Sequence, residues 1–466
     1  MVVVTTRAAG LLFASILAAA CARIDPGVAS SDAAPDGGDA DSVASPSPGC
    51  VNLQCQQVQC QTGTTSISGT VFAPSGTLPL FNVQVYVPNA PLAPFPEGIT
   101  CDRCGVATSG RPIAAAVTDA QGRFVLDNAP AGKDIPLVMQ VGKWRRKVTV
   151  STVAACRDNP LTDPNLTRLP RNRQEGDLPR IAVTTGSCDQ LGCLLPKIGV
   201  DPAELGISGQ NTAVTYFAGD MLMGARVFGP AGMNPNIDLW RSENEIARYD
   251  LALLSCECGE HLENKGAAAF DAVTRYLNSG GRIFGSHYSY VWLQHSTDMR
   301  LAGAASVVPT GPGVGQGPLT IDTSFPKGKA LADWMKFVDP TLNYGQIDAT
   351  QVFNDITGVM TPAAQVWAIS PTNNEFTPDL MLPPHPRIVT SNTPVGLPAE
   401  QQCGRAAQLD AHVTDVPTFI PAAATDHFPE VCPSGLTKGE EALAFLLFDL
   451  SACIQDDTKP VMPPIP

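Results

Sequence analysis

From Tyr249 to Tyr290 the chain reads YDLALLSCECGEHLENKGAAAFDAVTRYLNSGGRIFGSHYSY, and no other stretch restricts the fold as strongly. An apolar run ends in Cys-x-Cys-x-x-His; Phe270, Val273, Thr274 and Leu277 then fall on one helical face; a second apolar run ends in Gly285-Ser286-His287. Ser242 and Glu245 have the spacing of a capping box for a short preceding helix, and Gly280-Gly281 ends the longer one. Strand, helix and strand at this spacing form a βαβ unit, because parallel strands need a crossover. The expected result is a parallel sheet covered on both faces, with functional groups at the carboxyl ends of its strands.

Those ends carry the candidate site. Cys256, Cys258, His261 and His287 offer two thiolates and two imidazoles, a donor set suited to tetrahedral zinc. Cys-x-Cys-x-x-His is not a common zinc spacing, and the competing fate of these cysteines is disulfide formation. His412, two residues after Asp410 on a late strand, would reach the same cleft and make an Asp–His pair able to orient a proton acceptor beside His287. The competing reading of His287 is a hydrogen-bonded residue at a loop base. Ser286 is excluded as an elbow nucleophile, since Tyr288 follows His287 and Gly-x-Ser-x-Gly is absent. No organic cofactor is implied.

Export is written at the amino terminus. Arg7, an apolar run from Ala8 to Ala20 and small residues before Cys21 have the layout of a secretory signal. Leu17-Ala18-Ala19-Ala20-Cys21 resembles a lipobox, which implies a bacterial lipoprotein lipidated at Cys21; Ala18 stands where Leu is usual, so plain secretion into the periplasm or medium is the alternative. Residues 22–63 form a disordered acidic spacer and a Cys-rich lead-in, too poor in large apolar side chains over 22–49 to offset the entropy of ordering. Fourteen Cys in an exported chain imply a disulfide framework. If Cys21 carries lipid, thirteen remain, so at least one is free, metal-bound or paired to another chain.

At 466 residues the chain exceeds one ordinary core, and two domains are expected. The first covers 64–152, where TSISGTVFAP, NVQVYVPN, AAAVTDAQGRFVLDNAP and PLVMQVGKWRRKVTVS alternate apolar and polar residues. An antiparallel β-sandwich of about seven strands follows, with Asp119–Gly122 as a hairpin turn. Through Gly69, Asp119, Gly122 and Phe124 this segment resembles the carboxypeptidase regulatory-like domain, a prealbumin-like sandwich. The resemblance implies a non-catalytic module. Within its insertion, Cys101 and Cys104 offer a structural disulfide, a metal pair or a redox pair. Trp144, Arg145 and Arg146 within KWRRK would stack on a sugar or meet an anionic polymer; the competing reading is an edge strand kept soluble by charge.

Residues 153–178 read as a linker, 179–455 as the α/β domain with an insertion at about 300–400, and 456–466 as a tail. YDLALLSCECGEH, AVTRYLNSGGRIFGSHYSYVWL and the late CGRAAQLDAHV resemble the flavodoxin-like class I glutamine amidotransferase-like fold, in its ThuA (trehalose utilisation) branch, with Gly285, His287 and His412 on the matching positions. The resemblance implies a three-layer domain with a parallel sheet. Its departure is informative: His287 stands where the amidotransferases carry the Cys nucleophile, and no His-x-Glu follows. Glutamine hydrolysis is therefore not expected. Thr437 and Glu440 cap a last helix whose stripe of Ala442, Leu443, Leu446, Leu447 and Leu450 packs on the sheet, with Cys453 stapling its end.

A net charge of −14 excludes nucleic acid as a partner, because most of the surface repels phosphate. The expectation is a membrane-anchored lipoprotein at the outer membrane or cell surface, binding carbohydrate, cell-wall material or a protein partner without catalysis. The alternative is an exported sugar-active hydrolase or isomerase using His287, Asp410 and His412.

Overall fold

Alternation along the strands sorts apolar side chains to two faces of one sheet. Ile181, Val183, Leu251, Leu253, Phe284 and Ala407 enter one core, whereas Ala182, Ala252, Leu254, Ile283 and Ala406 enter another. Each face is covered. Phe270, Val273 and Leu277 of the helix Ala267–Asn278 fill the second core; Leu443, Phe445, Leu446 and Leu450 of the helix Lys438–Ser451 join the first. The architecture is a computed structural model that describes residues 49–220, 227–309, 315–370, 384–414 and 427–465. The expected signal segment, Cys21 and most of the acidic spacer lie outside the described residues.

Ile181–Thr184, Leu251–Leu254, Arg282–Ser286 and Gly404–Leu409 lie side by side in parallel, with Val214–Ala218 outside the first. Beyond Gly404–Leu409 the pairing becomes antiparallel through His385–Thr393, Gln365–Ser370, Gly315–Ile321 and Gln346–Val352, and it returns to the chain at Ala411–His412. One stretch, 404–412, thus belongs to the parallel row and to the far end of the antiparallel run. Asp410 sits at the junction, and the antiparallel strands bring their loops back over the parallel strand ends.

The amino-terminal half contributes seven strands in two sheets. Ser66–Thr70 pairs with Arg123–Leu126 and Asp158–Leu161; Gln84–Pro88 lies between Pro112–Val117 and Gly132–Val141, the latter pairing with Trp144–Val153. Two local expectations change. The turn at Asp119–Gly122 forms, with Gly122 at φ +74° and the Asp119 carboxylate accepting from the Gln121 and Arg123 N–H groups. It does not close a hairpin: Pro112–Val117 and Arg123–Leu126 pair in different sheets, so the turn carries the chain between them. Residues 153–178, read as a linker, supply the strand Asp158–Leu161, parallel to Ser66–Thr70, and a one-turn helix capped by Asp163.

The two halves share a core. Trp144 packs on Phe448 with centroids 5.6 Å apart, Phe81 stacks on Phe445 at 5.4 Å, and Trp334 donates to the Pro79 carbonyl at 2.8 Å. The described residues accordingly belong to one compact unit. Six disulfides join Cys50–Cys55, Cys60–Cys156, Cys101–Cys403, Cys104–Cys453, Cys188–Cys258 and Cys193–Cys432. Cys101 and Cys104 therefore bind neither a metal nor each other; they tether the first half to the second. A framework of this kind fits an extracellular or periplasmic protein. Among the described residues no helix is long and apolar enough to cross a membrane. The last helix has the expected reciprocal capping box of Thr437 and Glu440, whereas Ser242 caps its helix without a side-chain bond.

Candidate functional site

The carboxyl ends of the adjacent parallel strands gather the chemistry. Cys256 and Cys258 follow Leu251–Leu254, His287 follows Arg282–Ser286, and Asp410 and His412 follow Gly404–Leu409. Leaving the strands here demands unusual backbone: Cys258, His261 and His287 have φ of +66°, +45° and +41°. A non-glycine residue pays for such a conformation only where its surroundings fix it. For His287 they do. Gln408 donates to its carbonyl at 2.8 Å, and Phe353 stacks on its ring with the planes 13° apart.

The imidazole of His287 is held between two partners. Cys256 Sγ lies 3.4 Å from Nδ1, and Asp355 Oδ2 lies 3.1 Å from Nε2. His412 meets the same ring edge-on at 5.2 Å between centroids, and its own Nδ1 lies 3.1 Å from Gln351 Oε1. Asp410 is one layer back: its Oδ2 accepts from Ile356 N–H at 3.0 Å and pairs with Arg387 at 3.3 Å. Arg387 also donates to Asn354 Oδ1, so the Phe353–Asp355 loop is fixed at both ends.

Expected partners thus converge in part. His287, Asp355 and Asp410 offer ligand atoms within 4.8 Å of one another, and so do Cys256, His287 and His412. The four-residue zinc set does not assemble. Cys258 is consumed in its disulfide with Cys188, and His261 turns to Glu263 and Asp220 at 3.2 and 3.5 Å. Asp355 was not visible from sequence, because it lies in the 300–400 insertion with no motif around it. Cys256 as the odd cysteine was partly visible, since setting Cys21 aside leaves thirteen cysteines and at least one without a disulfide; Cys256 is the free thiol among the described residues.

Closure governs what the cluster can do. Cys256 and Asp410 are 0% exposed, His287 2% and His412 5%. Burial pushes the Cys256 thiol up to about 12 and Asp410 up to about 7, the latter against the pull of Arg387. Burial also lowers His287, which Asp355 opposes, and lowers His412 further, with His287 adding to the shift. Cys256, His287 and Asp355 are in the order of a nucleophile, base and orienting carboxylate. A substrate carbonyl, however, cannot reach a fully covered sulfur, and a neutral thiol is a weak attacking group. Separately, a cavity of about 750 Å³ opens among Met299, Arg300, Met360, Pro362, Val395 and Gln402. It shares no residue with the buried cluster.

The proposed sugar platform is not available. Trp144 is fully buried, Arg145 is 5% exposed and pairs with Asp177 at 2.8 Å while lying over the Phe95 ring, and Arg146 donates to the carbonyls of Asn165 and Arg168. These cations hold the 153–178 segment against the strand.

No family model matches the chain, and no curated protein matches it. Among solved structures, a C-terminal interface mutant of a type II cohesin–X-dockerin complex from Acetivibrio cellulolyticus is similar over 27% of this chain and 78% of its own, at 17% identity and TM-score 0.15. An N-terminal interface mutant of that complex is similar over 32% and 88%, at 15% identity and TM-score 0.17. A 9R-lipoxygenase from Cyanothece is similar over 23% and 19%, at 16% identity and TM-score 0.12. Scores this low do not define a common fold.

Proposed function

We propose that the chain is an exported lipoprotein, anchored through Cys21, that acts as a non-catalytic binding protein for carbohydrate, cell-wall material or a protein partner at the cell surface. Its amino-terminal sheets correspond in this reading to a carboxypeptidase regulatory-like sandwich. The parallel row corresponds to a flavodoxin-like, ThuA-type domain that has lost the amidotransferase nucleophile at His287. The observation that carries the reading is closure of the acid–base groups. His287 and His412 are at most 5% exposed, whereas the open cavity beside Met299 and Met360 mixes apolar and polar side chains, presents mostly apolar surface and has ligand-site dimensions. A hydrolase or isomerase working through His287, Asp410 and His412 would need those groups in an open cleft.

A glycan and peptidoglycan-fragment binding screen with the mature chain tests this reading. Binding that is weakened at least tenfold in Met360→Asp and unchanged in His287→Ala is expected. Absence of any binding overturns the carbohydrate and cell-wall readings and leaves the protein partner, and turnover of a bound glycan overturns the non-catalytic reading. The anchor is tested by mass spectrometry of the mature amino terminus: a mature chain starting at an unmodified residue other than Cys21 refutes it.

A further inference from the structure

We infer that Cys256, His287 and His412 form a binding site for a soft or borderline transition-metal ion, of the zinc or copper class. Their three ligand atoms lie within 4.8 Å of one another, and the Cys256 Sγ to His287 Nδ1 separation is 3.4 Å. Metal–sulfur and metal–nitrogen bonds of about 2.3 and 2.0 Å at a tetrahedral angle set a sulfur–nitrogen spacing of about 3.5 Å, so this edge already has the size of a coordination shell. One thiolate and two imidazoles match copper and zinc and are a poor match for the hard cations magnesium and calcium.

The surroundings orient the rings as metal sites do. Asp355 Oδ2 faces His287 Nε2 at 3.1 Å, which makes Nε2 the protonated nitrogen and turns the Nδ1 lone pair toward the sulfur. Gln351 Oε1 accepts from Nδ1 of His412 at 3.1 Å, which puts the ring proton on Nδ1 and the lone pair on Nε2. A carboxylate and an amide behind the two imidazoles are the outer contacts that fix tautomer and raise ligand basicity. Phe353, stacked on His287, supplies an apolar wall.

The thiol itself is the second line of argument. Twelve of the described cysteines are oxidised in six disulfides, and Cys258, two residues from Cys256, is one of them. Among the described cysteines Cys256 alone is outside a disulfide; it is fully buried and aimed at an imidazole. On binding, the sulfur gives its proton to bulk water and its lone pair to the ion; no redox step is involved. This set differs from the Cys256, Cys258, His261, His287 arrangement expected from sequence, because Cys258 and His261 are engaged elsewhere.

The test uses the mature chain purified without reductant or chelator. Metal content is measured by elemental mass spectrometry, and chain unfolded with its disulfides intact is refolded with one equivalent of cobalt(II), zinc(II) or magnesium(II). One zinc or copper per chain as purified, or one cobalt after refolding with a thiolate-to-metal charge-transfer band, is expected, with no binding of magnesium. Cys256→Ser should abolish the band, and His412→Gln should weaken zinc at least tenfold, whereas His261→Gln should leave both unchanged. If Cys256→Ser does not fold, the native titration and His412→Gln decide. No stoichiometric metal in either preparation, or cobalt binding without a thiolate band, overturns the inference.

Discussion

Asp355 Oδ2 and His287 Nε2 meet at 3.1 Å although 68 residues separate them, and both side chains are at most 3% exposed. Nothing local brings them together. His287 leaves the parallel row at Arg282–Ser286, while Asp355 arrives on the loop after Gln346–Val352, at the far end of the antiparallel run. The contact therefore depends on the return of that run to Ala411–His412.

Asp355→Asn is expected to keep the fold and to weaken metal binding at Cys256, His287 and His412 by 10- to 100-fold, the range in which outer carboxylates act. The stability loss should be about 1.5–3 kcal/mol, as for a buried hydrogen bond to a charged group. Zinc competition titration and denaturant unfolding of the metal-free chain separate the two effects. Unchanged zinc affinity would remove Asp355 from the site.

Trp144→Ala should cost about 3–5 kcal/mol, because the indole is fully buried against Phe448 between the two halves of the molecule. Glycan binding, measured at a temperature where the variant is folded, should not change. A selective loss of glycan affinity with normal stability would restore the platform reading of Trp144, Arg145 and Arg146.

How much of this was legible follows from the range of the interactions. The parallel row could be read because apolar runs, Gly280-Gly281 and the helical face of Phe270 and Leu277 are local signals. The meeting of His287 with Asp410 and His412 was legible through one rule, that adjacent strands end together. The partner of Cys258 was not, because Cys188 follows the neighbouring strand Ile181–Thr184 and no spacing records that adjacency. Nor was the burial of Trp144 and Arg145: Asp177, which pairs with Arg145, lies in a segment without periodicity, so the residues looked exposed.

Lys327→Met tests a buried ion cluster of another kind. Lys327 Nζ contacts Asp449 at 2.8 Å and Asp457 at 3.0 Å, and Arg405 bridges the same two carboxylates at 3.2 and 2.8 Å. Removing one cation leaves two buried carboxylates with a single guanidinium, and a loss of about 3–5 kcal/mol is expected in chemical denaturation. Since Asp449 lies on the last helix and Asp457 just beyond it, protease cleavage after residue 438 should become faster. A variant as stable as the parent would show that the remaining Arg405 suffices.

Glu441 supplies a pH dependence with a definite sign. Burial, with the negative charge of Asp339 adding to it, pushes this carboxyl from its ordinary 4.5 up to about 7, against the pull of Lys438. The folded state thus resists ionisation that the unfolded chain accepts. The resulting penalty is absent below pH 4.5, grows between 4.5 and 7, and is complete above 7. Glu441→Gln removes it, so the variant should be about 1 kcal/mol more stable than the parent at pH 8, a figure reduced for the partial exposure of the group. At pH 4 the two should unfold together. Urea unfolding at both pH values checks the sign, and a variant destabilised at pH 8 would mean that Lys438 and the helix amino terminus outweigh desolvation at this position.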